Sequence, residues 1–107
     1  MNDISQAIDR IGQYIKNLSF DAFSDDQKSV DAVARNLEII GEAANRLPEE
    51  FKEKYSEIEW YKVVGLRHRI VHEYFGIDLE ITWQILHKDL PELKRRLTQI
   101  MKHEGAG

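Results

Sequence analysis

The sequence predicts an all-α domain, an antiparallel helical bundle, and three observations predict it. Apolar residues recur at alternating steps of three and four early, midway and late in the chain, the spacing that lines one face of a helix. No stretch alternates with period two, and no Asn-Gly or Asp-Gly pair marks a hairpin. At 107 residues, 42% hydrophobic and 32% charged, the chain can bury one core but not two.

The first helix rests on Ile4, Ile8, Ile11, Ile15 and Leu18, with Asp9, Arg10, Gln13 and Lys16 mostly off that stripe. The second starts at SDDQ, where Ser24 and Gln27 are spaced as a capping box, and continues through Val30, Val33, Leu37, Ile40 and Ala44. It is expected to cover residues 25 to 46. Pro48 suits the first turn of a short helix, with Glu49 and Glu50 near its positive end.

The segment WYKVVGLRHRIVHEYF is apolar on more than one side, as expected of a helix packed between neighbours, and Gly76 suits its C-terminal cap. Asp78 is placed to cap the last helix, whose stripe is Trp83, Leu86, Leu90, Leu93, Leu97 and Ile100. Pro91 interrupts that helix, predicting a kink or restart near Asp89. Residues 1 to 101 are read as one domain and 102 to 107 as a frayed tail.

The absence of cysteine excludes disulfides, thiolate metal sites and cysteine nucleophiles. No apolar run reaches the roughly 20 residues that span a bilayer, and the N-terminus lacks the basic-then-apolar order of a signal peptide. A cytoplasmic location is expected. The net charge of -4 opposes indiscriminate binding of nucleic acid. Between Val63 and His72, however, there is no acid while Arg67 and Arg69 are present, so an anion site would be local.

The polar cluster in GLRHRIVHEYFGID admits three readings. In the first, arginine and histidine are satisfied contacts within the bundle, with Arg67 paired to a glutamate. In the second, His68 and His72, four apart, are metal ligands, although no third ligand is evident and His87 and His103 are remote. In the third, a histidine moves a proton at a ribose 2′-hydroxyl while an arginine holds the phosphate, chemistry that needs no metal or other cofactor. On a regular helix Arg67 and His72 diverge by about 140°. Their convergence needs a long reach, an irregular helix near Gly65, or a second copy of the chain.

Arg67, His72 and Tyr74, flanked by RNLEIIGEAANRLP, Trp60 and DLPELKRRL, resemble the signature of the HEPN superfamily. The likeness is to the HepT-like toxins of HepT–MntA toxin–antitoxin pairs and covers nearly the whole chain. It implies a homodimeric helical bundle with the two motifs across a shared cleft. It also implies a metal-independent endoribonuclease that leaves a 2′,3′-cyclic phosphate on its RNA substrate.

Carried over, His72 is the acid–base residue and Arg67 the phosphate and transition-state binder. His68, where asparagine or aspartate is common, and Arg69, the second cation of the acid-free stretch, are expected to contact substrate. Tyr74 corresponds to the tyrosine on which an MntA-like nucleotidyltransferase antitoxin places AMP. The alternative is a non-catalytic helical module that holds such a transferase. Asn36 and Glu42 are further candidates for support of the site, and Lys94, Arg95 and Arg96 for an RNA-binding face.

Overall fold

In a computed structural model, which describes residues 2 to 72 and 76 to 106, the chain is an all-α bundle with one two-stranded pairing. Helix α1 (Asn2–Ile15) buries Ile4, Ala7, Ile8 and Ile11 against α3 (Gln27–Asn45), which answers with Val30, Val33, Leu37, Ile40 and Ala44. The expected stripes are therefore the core. Helix α1 stops one turn before Leu18 because Asn17 adopts φ 65°, a left-handed conformation that asparagine tolerates at a helix end.

A short helix absent from the sequence reading, α2 (Phe20–Asp25), follows Ser19, whose side chain accepts from the Ala22 amide. It inserts Phe23 into the core against Trp83, the ring centroids 5.2 Å apart. Ser24 consequently lies inside a helix and donates to the Phe20 carbonyl instead of capping α3. Asp26 is the cap: its extended backbone releases a carboxylate that accepts from the Ser29 amide and hydroxyl. Gln27 reaches forward to Asp31 rather than back.

After α4 (Glu49–Lys54), the expected central helix is in fact two single-turn helices, α5 (Trp60–Val64) and α6 (Leu66–Ile70), separated at Gly65. Beyond Ile70 the chain is extended: β1 (Val71–His72) pairs antiparallel with β2 (Gly76–Ile77), Val71 opposite Ile77 and His72 opposite Gly76. Gly76 is thus a paired strand residue, not a helix cap. The cause lies in the hydrogen bonds, since the Ile70 carbonyl accepts from the Asp78 amide, a tertiary partner that displaces continuation of the helix.

Asp78 caps α7 (Leu79–Gln84) as expected, its side chain accepting from the Ile81 amide. A widened π-helical turn (Ile85–Asp89) then leads into α8 (Leu90–Ala106). Pro91 explains the turn: its ring would press on the carbonyl four residues back, and the extra residue relieves that crowding. Helix α8 continues through the segment expected to fray, and Glu104 there accepts from Lys54 and from the Tyr55 hydroxyl. Among the described residues no helix is long and apolar enough to cross a membrane.

Candidate functional site

The motif helix is positioned by a close approach of backbones. A β-carbon at Gly41 of α3 would stand 2.8 Å from the Val64 carbonyl oxygen, so only glycine lets α5 lie this near α3. Trp60 anchors the start of α5, its buried indole donating to the Tyr55 carbonyl at 3.1 Å. Leu66 and Ile70 then turn α6 inward, and Arg67, His68 and Arg69 between them are left exposed.

The two arginines face opposite ways, being two residues and so about 200° apart on a helix. Arg67 Nη1 donates to Glu38 Oε1 of α3 at 3.3 Å, and Glu38 lies one turn before Gly41. Arg69 Nη2 lies 2.8 Å from Asp89 Oδ2 in the π-helical turn. The glutamate partner expected for Arg67 therefore exists. Both pairs are half-exposed, and such ion pairs contribute about 0.2–1 kcal/mol, so a phosphate could replace either carboxylate.

Because the helix ends at Ile70, the helical projection that put His68 and His72 on one face fails. His72 belongs to β1 by its backbone, and the about 140° divergence calculated from Arg67 no longer applies. Tyr74 lies outside the described residues. Of the remote histidines, His87 packs on Trp83 with Nδ1 2.9 Å from the Trp83 carbonyl, and His103 packs edge-on against Tyr55. Each has a structural neighbour of its own.

Asn36 ties α3 to α1. It is buried, its Oδ1 accepts from Arg10 Nε at 2.9 Å, and its Nδ2 donates to the Ala32 carbonyl. Glu42 is exposed. Lys94 is held by Ser5 and Asp9, while Arg95 and Arg96 both grip Glu92 and hold its carboxyl down at about 2. None of these cations reaches outward without a partner. Glu38 and Asp89, the carboxylates that face the motif arginines, were not singled out by spacing because each pairing spans a long stretch of chain.

The model of a family described as "Ribonuclease HepT-like" matches residues 4–100. The chain belongs to the HepT-like family. It is 38% identical over 104 residues to a provisionally named RNase of Caldanaerobacter subterraneus, covering 97% of this chain and 93% of that protein. It is 36% identical over 102 residues to the "Probable ribonuclease HepT" of Thermococcus cleftensis, covering 95% and 93%. A Methanocaldococcus jannaschii protein, named as a gamma-glutamylcyclotransferase and provisional RNase, is 41% identical over 102 residues, but the chain spans only 46% of it. No solved structure matches significantly. The HepT-like membership agrees with the all-α fold and with the resemblance carried by the motif.

Proposed function

We propose that this chain is the toxin of a toxin–antitoxin pair, a metal-independent endoribonuclease restrained by a nucleotidyltransferase. The observation that carries the reading is membership of a ribonuclease family together with an outward-facing Arg67, His68 and Arg69 on a short helix. An exposed guanidinium held, among the described residues, by one weak ion pair is available to a phosphate.

In the proposed reaction His72 takes the proton from a ribose 2′-hydroxyl, and that oxygen attacks the adjacent phosphorus. The bond to the 5′-oxygen breaks, and the departing oxygen receives a proton, leaving a 2′,3′-cyclic phosphate and a 5′-hydroxyl. Arg67 holds the phosphate oxygens as charge grows on them, and His68 and Arg69 contact the neighbouring backbone. A homodimer supplies two such motifs to one cleft, so that Arg67 of one copy serves His72 of either. AMP placed on Tyr74 by an MntA-like partner adds negative charge where RNA phosphate must sit and silences the site.

Cleavage of RNA by the purified chain in EDTA tests this. Native protein is expected to cut, and folded Arg67→Ala and His72→Ala variants to lose about 10²-fold or more in rate. Equal cleavage by all three, or none by native protein shown by intact mass to be unmodified, would instead favour a helical module that only binds the transferase.

A further inference from the structure

On the other side of α6 from Arg67 lies a groove of about 370 Å³ between α5–α6 and the π-helical turn with α8. Its floor is apolar, made by Ile58, Val63, Leu66 and Leu93. Its rim carries Arg69, Lys88 and Glu57 along with already paired charges. Among the described residues neither Lys88 nor the Glu57 carboxylate has an ion-pair partner, whereas Glu59 is bound by Tyr61 and Lys62 and Glu92 by two arginines. The volume is within the range of small-ligand sites and large enough for one nucleotide.

The chemistry of these walls selects an occupant with one flat apolar face, one anionic group and a donor edge. A nucleotide has all three: its base can lie on the aliphatic floor, its phosphate on cations, and its amino or imino hydrogens on a carboxylate. Arg69 connects the groove to the proposed cleavage site, since it lies two residues from Arg67 on the same single-turn helix. Such a helix is only about 10–12 Å across with its side chains, so a few nucleotides of extended RNA pass from one face to the other.

We propose that this groove holds one nucleotide of the RNA strand flanking the cleaved phosphate, with Glu57 reading its base edge and Arg69 and Lys88 its phosphate. The inference rests on the ribonuclease reading above. On binding, the RNA phosphate takes Arg69 from Asp89, a half-exposed pair that costs little to open. Glu57 can accept two hydrogen bonds from guanine, whose N1–H and amino group stand side by side, but only one from cytosine, adenine or uracil. The site therefore prefers guanine at one flanking position.

The test uses the full chain carrying His72→Ala, to prevent cleavage, and oligoribonucleotides that vary one position at a time around a site mapped with native enzyme. One flanking position should bind about tenfold more tightly with guanine than with uracil, and Glu57→Gln should erase that preference. Glu57→Gln in the active chain should shift KM for the preferred sequence and leave kcat in place. Native cleavage with no positional preference, or a preference that Glu57→Gln preserves, overturns the groove assignment while leaving the nuclease standing. Absence of cleavage by unmodified native protein overturns both. Guanosine monophosphate that perturbs Glu57 and Leu93 signals in NMR spectra but is not displaced by RNA would make this a site for free nucleotides and equally overturn the proposal.

Discussion

Gly41 and Val64 meet backbone to backbone, the α-carbon of one helix set against a carbonyl at the end of another. The carbonyl cannot retreat as a side chain could. Gly41→Ala is therefore expected to destabilise the fold by about 1–3 kcal/mol, the usual cost of overpacking. Gly12, exposed on α1 with nothing near its missing β-carbon, is the control: Gly12→Ala should stabilise by about 0.5–1 kcal/mol. Urea denaturation of the two variants measures both, and a neutral Gly41→Ala would mean that α5 can shift freely on α3.

Asn36 ties α3 to α1 through Arg10. Its replacement by alanine should cost about 1–3 kcal/mol, since its half-buried partners lose their hydrogen bonds and a small cavity opens at a buried position. Denaturation of Asn36→Ala checks the size. RNA cleavage per folded molecule should change little, as the bonds that Asn36 makes among the described residues lie within the bundle.

The carboxyl of Glu92 titrates at about 2 instead of its ordinary 4.5 because Arg95 and then Arg96 bond to its charged form. A carboxyl with a depressed folded value contributes stability that is complete above pH 4.5 and fades as the pH falls through 2. Native protein should thus exceed Glu92→Gln in stability by a constant margin at neutral pH, and the two should converge in acid between these values. Unfolding midpoints measured across that range test it. Added salt should narrow the neutral-pH margin, since the pair is at the surface.

In the proposed groove, RNA takes Arg69 from Asp89, its partner in the free protein. In Asp89→Asn the guanidinium is released in advance, and RNA affinity should rise about two- to fivefold, the worth of one exposed ion pair. Filter binding or anisotropy with an uncleaved oligonucleotide measures this. Unchanged affinity would separate Arg69 from the RNA path.

For Tyr74 the expected outcome is chemical. Incubation with a cognate nucleotidyltransferase, ATP and magnesium should add one or more AMP masses to native protein and none to Tyr74→Phe. Localisation of the mass on any other residue removes the regulatory assignment and leaves the nuclease reading untouched.

The bundle was legible in the sequence where one face of a helix is buried along its length. Ile4 to Ile15 and Val30 to Ala44 repeat at helical spacing and form the core, and Asp78 caps as its position promised. Legibility failed where short elements are set by distant partners. A six-residue helix such as α2 is too brief for periodicity to reveal, and with α2 unread the capping spacing points to Ser24 where Asp26 caps α3. The apolar run around Ile70 and Val71 reads equally as helix or strand, and the Asp78 amide decides it from outside. Of the candidate site, the acid-free stretch with Arg67 and Arg69 is visible in the sequence, whereas their partners Glu38 and Asp89 become visible only when tertiary packing brings them near.

The turn from Ile85 to Asp89 holds one residue more than an ordinary helix would. A chain shortened by a single position there can wind as a regular helix with α7 and α8 kept in phase, since the residue lost is the one that the wide turn absorbs. The Pro91 ring would then meet the carbonyl behind it. The cost of a deletion in this stretch therefore falls on the proline rather than on the register of the last helix, and replacing Pro91 with alanine should relieve it.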